Sequence, residues 1–203
     1  MKLYYSPGSC ALAAHIALCE SGLPYQLDKY NMRTRTTEDG SDYLAINPNG
    51  YVPALHLDEE DEILTEVSAI LLYIADRAPQ SDLAPKPGAL PRYRAIKWLS
   101  FVATEVHKSY SPLFNRAATP EWKVAALEKV KTRYDYVEDQ LKRRPYLLGE
   151  NFSIADAYLF VTTTWAKPVN LDLSPWPHLK AYSEKIAQRP AVIKAMQEEG
   201  LLQ

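Results

Sequence analysis

Short apolar runs at the start of this chain give way to long helical periodicities, and the change divides it into two unlike parts. Leu3-Tyr4-Tyr5 predicts a strand over residues 2–5. From Cys10 to about Ser21, Leu12, Ile16 and Cys19 fall on one side of a predicted helix, which Gly22 stops with Pro24 just beyond. Tyr25 to Tyr30 alternates apolar and polar residues as a second strand does. Residues 31–40 are polar and irregular, Tyr43 to Ile46 predicts one or two helical turns, and Asn47-Pro48-Asn49-Gly50 is a turn. Val52 to Leu57 predicts a strand that begins at its proline, because proline is tolerated only at a strand's start or edge. Acidic residues from Asp58 to Glu62 turn the chain, Ile63-Leu64 returns, and Val67, Ile70, Leu71 and Ile74 mark a helix from about Glu66 to Arg77.

Pro79, Pro85, Pro87 and Pro91, with Gly88 among them, punctuate a polar stretch. Everything beyond reads as helix. Leu99, Val102 and Val106 mark a segment from about Leu90 to at least Tyr110, and Trp122, Ala126, Val130, Tyr134, Val137 and Leu141 mark one opened by Pro120. The basic run Lys142-Arg143-Arg144 closes that helix, where cations are favourable without any ligand. Ser153 and Asp156 have the spacing of a capping box for a buried helix carrying Ile154, Tyr158, Val161 and Trp165. A last pair runs from about Pro177 to Arg189 and from Pro190 to Glu199. The expected organisation is an α/β unit over residues 1–78, a linker over 79–88 and an all-helical unit over 89–203.

Composition narrows the classes. The 203 residues are 47% hydrophobic and 24% charged with a formal net charge of −2, so neither nucleic acid nor an anionic membrane is an expected partner. No apolar run approaches the roughly 20 residues of a membrane span. Pro7-Gly8 interrupts what would otherwise imitate a secretion signal, and the expected compartment is the cytoplasm. Seven glycines form neither a phosphate loop nor a dinucleotide fingerprint, no Gly-x-Ser-x-Gly elbow occurs, and two cysteines with four histidines give no recognised zinc spacing. No metal is expected. Cys10 and Cys19 would lie roughly 13 Å apart along one helix, too far for a disulfide.

Four positions can carry chemistry. Cys10 stands where a helix should begin, and there the backbone N–H groups and the helix dipole favour a reactive sulfur; a small buried apolar residue is the alternative. Ala13 leaves it without a Cys-x-x-Cys partner. Val52-Pro53 could be a cis bond presenting backbone to an extended peptide, or an ordinary strand start. Glu66 could receive a ligand ammonium beside a helix N-terminus that receives its carboxylate, or could be a plain first-turn acid. His107, with Glu105 and Lys108 beside it, is a catalytic candidate or a packed helical histidine.

Taken together, residues 2–10 (Lys-Leu-Tyr-Tyr-Ser-Pro-Gly-Ser-Cys), 47–53, 66–70, 105–108 and 153–158 resemble a glutathione transferase of the bacterial beta class, the type with cysteine in the active site. The resemblance covers the whole chain. It implies a thioredoxin-like α/β N-terminal domain followed by an all-α helical C-terminal domain, a homodimer, and glutathione as co-substrate. It implies that Pro53 is cis, that Val52 pairs with the cysteinyl part of glutathione, and that Glu66 and the Val67 N–H hold its γ-glutamyl end. Arg35 would lie near the glycine carboxylate, and Cys10 beside the glutathione sulfur. His107 and Lys108 would supply positive potential and hydrogen bonds, and Glu105 would reach a partner's γ-glutamyl ammonium. Phe114 and Trp165 are candidates for the electrophile's apolar wall. Val67 and Ala11 stand where relatives often carry serine, so a hydroxyl contact to the γ-glutamyl carboxylate and one polar neighbour of Cys10 are missing. The implied activity is conjugation of glutathione to apolar electrophiles in detoxification. A thiol–disulfide reaction through Cys10 and a non-enzymatic protein that binds apolar ligands are the alternatives.

Overall fold

The computed structural model describes residues 1–202. Four strands, β1 (Lys2–Tyr5), β2 (Gln26–Lys29), β3 (Ala54–Leu57) and β4 (Glu62–Thr65), form one mixed sheet in the order β2-β1-β3-β4. β1 is parallel to β2 across a helix, α1 (Ala11–Ser21), while β3 is antiparallel to both β1 and β4. Leu3 pairs with Leu27 on one side and Leu55 on the other, and Leu55 pairs with Leu64. A second helix, α2 (Val67–Arg77), follows β4 directly.

α1 is more deeply buried than its pattern suggests. All positions from Ala11 to Leu18 are enclosed, the polar His15 included, and Cys19, expected on the inner face, is only half-buried. The alanines at 11, 13, 14 and 17 let neighbouring backbones approach from several sides, so no single apolar stripe is needed. Gly22 ends the helix with a φ of 69°, the left-handed conformation in which a side chain is unfavourable.

Tyrosines organise the other face of the sheet. Tyr30 stacks on Tyr43 at 4.1 Å between ring centroids, and Tyr4 meets Tyr43 edge-on at 5.7 Å. The Tyr43 hydroxyl and the Asn47 side-chain amide both donate to the Tyr51 carbonyl, each at 2.8 Å, which ties down the loop leading to Val52-Pro53.

The chain separates into two compact units: Met1–Lys86 together with everything from Arg189 onward, and Pro87–Gln188. The last helix, α8 (Pro190–Glu198), was expected with the helical unit but packs on α1 of the first. It buries Val192 and Ala195, and Arg189 pairs both its Nε (2.6 Å) and Nη2 (3.0 Å) with Glu20.

The second unit is all helix: α3 (Leu90–Phe101), α4 (Lys108–Phe114), α5 (Pro120–Leu141), α6 (Ile154–Thr164) and α7 (Pro177–Ala187). Residues Val102–His107 join α3 to α4 as a wider π-helical turn, so the predicted long helix exists but is locally unwound. Thr119 caps α5 by accepting from the Trp122 N–H. Trp122, expected in the buried stripe, is 52% exposed because it sits in that first turn, before the inner face begins at Ala126.

The capping box is present and extended. The buried Asp156 carboxylate accepts from the Ser153 N–H (2.9 Å) and hydroxyl (2.6 Å), the Leu147 N–H (2.8 Å) and the Tyr182 hydroxyl (2.9 Å). Burial pushes its carboxyl up, and these donors oppose that shift. Asp156→Ala should strand all four donors and cost about 3 kcal/mol or more. Chemical denaturation checks this, and a loss under about 1 kcal/mol would mean that solvent replaces the carboxylate.

Candidate active site

Register decides which candidate residues share an edge of the sheet. Tyr4 pairs with Ala54 and Ala54 with Thr65, so the end of β1, the start of β3 and the end of β4 lie together. The Tyr30 N–H bonds the Tyr5 carbonyl at 2.7 Å, which brings the end of β2 to the same edge. The Ser6–Cys10 turn, Val52-Pro53, Glu66 and the loop carrying Arg35 therefore leave the sheet at one end.

Cys10 is the N-cap of α1. Its Sγ donates to the Val52 carbonyl at 3.2 Å, and Val52-Pro53 is cis. The sulfur is nearly enclosed, and neither Cys10 nor Cys19 is in a disulfide. The helix start is less open than the sequence suggests. The Ala11 N–H bonds Ser9 Oγ, the Leu12 N–H the Ser9 carbonyl and the Ala13 N–H the Cys10 carbonyl. What remains for a ligand there is the helix dipole rather than unpaired donors.

Glu66 is exposed and caps α2 with φ 66° and ψ 121°, a strained backbone for a residue with a side chain. The conformation turns the chain out of β4 so that Val67, buried, starts the helix. Arg35 is also left-handed, with φ 61°, and exposed. Its N–H bonds the Asn31 carbonyl and its own carbonyl accepts from Tyr43, which fixes the loop backbone and leaves the guanidinium at the surface.

In the second unit the π turn carries Glu105 and His107. His107 Nδ1 lies 2.7 Å from the Tyr158 hydroxyl, and its ring meets Trp165 edge-on at 4.8 Å. Trp165 in turn touches Tyr110 and Phe114, with centroids 5.6 Å and 6.0 Å away. Trp165 is buried and Phe114 is 50% exposed, so these two aromatics form an inner and an outer part of one cluster. Lys108 is exposed.

Burial pushes the His107 ring down to about 4, and the Lys108 charge adds to the shift. The ring is therefore neutral at pH 7, and the positive potential expected from it is absent. It offers hydrogen bonds only, and the charge is left to Lys108. Glu105 Oε2 is held by Arg133 of its own chain, 2.7 Å from both Nε and Nη2, with Lys129 at 4.0 Å.

Two contributors were given no role of their own by the sequence. Tyr158 was legible only as a buried helix position, yet its hydroxyl fixes the His107 ring. Glu199 holds the Cys10 turn from the far end of the chain, its Oε2 accepting from the Gly8 N–H at 2.9 Å. Gly8 has φ 69°, and a Cβ there would sit 3.5 Å from Leu201 Cδ2, so the turn is closed down by the last residues.

The depressed His107 titration predicts a pH dependence. The unfolded ring binds its proton near pH 6.5, and the folded one only near 4. The stability that this ring contributes is complete above about pH 6.5 and is lost as pH falls toward 4. For a half-buried group this amounts to about 2 kcal/mol. Denaturation of wild type and His107→Gln from pH 7 to 4 should show the shallower acid loss in the variant; parallel curves would exclude a ring that stays neutral.

Comparison with known proteins matches residues 8–77 to a family described as glutathione S-transferase, N-terminal domain, and residues 101–190 to glutathione S-transferase, C-terminal domain. Glutathione S-transferase GstA of Escherichia coli O157:H7 is 41% identical over 99% of this chain and 100% of its own length. A sphingomonad glutathione S-transferase, solved in complex with glutathione, superimposes with a TM-score of 0.96 at 49% identity, covering 100% of both chains. A bacterial beta class enzyme from Sphingomonas chungbukensis gives a TM-score of 0.97 at 48% identity, also over 100% of both.

Proposed function

The chain belongs to the glutathione S-transferase family, and on that premise we propose that it binds reduced glutathione at the Cys10 edge of the sheet and joins the glutathione sulfur to apolar electrophiles. The observation that carries this reading is the Cys10 thiol, 3.2 Å from the carbonyl of Val52 at the cis bond. It places a sulfur beside the backbone to which an extended cysteinyl residue would add as a strand. On the same edge, Glu66 faces solvent at the α2 N-terminus, suited to a γ-glutamyl ammonium and carboxylate, and exposed Arg35 suits the glycine carboxylate. Val67 contributes its N–H without a hydroxyl.

In the proposed reaction the glutathione thiol loses its proton to solvent and the thiolate attacks an electrophilic carbon. A C–S bond forms, and the leaving group departs with its electron pair. The protein must favour thiolate and position it. The α1 dipole favours the anion, Lys108 is assigned the positive charge, and neutral His107, its ring set by Tyr158, a hydrogen bond. Phe114 and Trp165 are assigned to the apolar wall for the electrophile. A homodimer in the cytoplasm completes the reading.

Because the attacking sulfur belongs to glutathione, Cys10→Ala should retain conjugation of a chlorinated dinitrobenzene within about tenfold. Reduction of a mixed disulfide with glutathione, which needs a protein thiol, should vanish. Conjugation falling to background would make the Cys10 sulfur indispensable to transfer. Wild-type protein that binds apolar dyes but shows no glutathione-dependent turnover would leave a binding protein instead.

A further inference from the structure

We propose that His15, Cys19 and Glu198 form a binding site for a divalent cation of the zinc type, at the crossing of α1 and α8. His15 and Cys19 are four residues apart on α1, so both project from one side of the helix. Glu198, the last residue of α8, reaches the same place from 183 residues beyond His15. One ligand atom from each lies within 4.8 Å of the other two. Zinc–ligand bonds of about 2.0–2.3 Å in a tetrahedron set ligand atoms about 3.3–3.8 Å apart, so only sub-ångström to ångström shifts are required.

The donor set is one imidazole nitrogen, one thiolate and one carboxylate, the mixture that selects zinc over magnesium or calcium. With Cys19 and Glu198 anionic and His15 neutral, the ligands balance the charge of the dication. Binding displaces a proton from the imidazolium and one from the thiol, both to solvent. The Tyr25 hydroxyl lies beside the three ligands, 3.0 Å from Cys19 Sγ and 2.6 Å from Glu198 Oε2, and a water is the ligand that would complete the tetrahedron. Glu198 is partly open to solvent, which provides the entry path.

An independent feature favours a ligand over an ordinary hydrogen-bonded cluster. A metal-bound histidine characteristically gives its second ring nitrogen to a carboxylate, which fixes ring and tautomer. His15 Nε2 is the nitrogen directed at Glu198, 2.7 Å away, and Nδ1 lies 3.1 Å from Glu199 Oε1. Glu199 is itself fully enclosed and anchored through its other oxygen by the Gly8 N–H. The orienting carboxylate is therefore built and rigid. The competing cation is the Lys194 ammonium, 3.8 Å from Glu198 Oε1 and on a 57% exposed side chain that can move away.

The test uses reduced, metal-stripped, untagged full-length protein without glutathione, titrated with cobalt(II) as a spectroscopic stand-in and with zinc(II). Expected are one cation per chain, thiolate-to-cobalt charge-transfer absorption, and affinity that rises with pH. Cys19→Ser should remove the absorption and Glu198→Gln should weaken binding about 10- to 100-fold, whereas Cys10→Ser should leave both intact. Zinc should also protect Cys19, and not Cys10, from alkylation in the unmodified protein, a readout that requires no variant to fold. Absence of binding at micromolar metal, absorption that survives Cys19→Ser, or absorption lost with Cys10→Ser would each overturn the site.

Discussion

The pairing of Tyr4 with Ala54 and of Ala54 with Thr65 is the constraint on which the first unit's chemistry depends. A β-ladder slipped by one residue would send every side chain to the opposite face. In the observed register Leu3, Leu55 and Leu64 lie abreast, while the Cys10 turn, Val52-Pro53 and Glu66 all emerge at one edge. The tyrosine cluster beneath the Asn47–Val52 loop then fixes the height at which the Val52 carbonyl meets the Cys10 sulfur. Glu66 accepts a positive φ at the same edge, where a regular strand-to-helix passage would need none.

The second unit achieves precision by a different device. A π turn at Val102–His107 interrupts an otherwise continuous helix and presents His107 against Tyr158 and Trp165. π turns insert a residue into the helical ladder and rotate the helix beyond it, and they recur at functional sites. Enclosure by the aromatic rings strips His107 of its charge, leaving a neutral, oriented hydrogen-bonding group beside a cation, Lys108. Charge and directionality are thus divided between adjacent residues.

α8 shows how much a chain end can govern. It closes on α1, and its terminal carboxylates take both nitrogens of a histidine that is otherwise wholly enclosed. Several acceptors hold that ring protonated: burial alone would lower its titration, yet Cys19, Glu199 and Glu198 raise it to about 9. Through Gly8 the same cluster fixes the turn that carries Cys10, so the first helix, the last helix and the reactive edge form one mechanical unit.

Local signals along the chain specify the elements and the family. Period-two and period-three-to-four apolar spacing, Gly22, Pro53 and the Ser153–Asp156 box are local signals, set by backbone sterics and hydrogen bonding within a few residues. The cysteine segment, Val52-Pro53 and the His107-Lys108 pair pointed to glutathione chemistry, and the comparisons agree with the family. Which groups are charged, which donors are already satisfied and which distant residues meet are properties of the folded chain. His107 loses its charge through burial against distant aromatics, Tyr158 among them at 51 residues along the chain. Glu105 is claimed by Arg133, 28 residues on, and α8 crosses back to α1. Such outcomes depend on desolvation and on long-range proximity, and a one-dimensional pattern encodes neither. The Cys10 turn has the same character: its place at a helix start was legible, but the Val52 carbonyl against its sulfur and Glu199 beneath its glycine exist only in three dimensions.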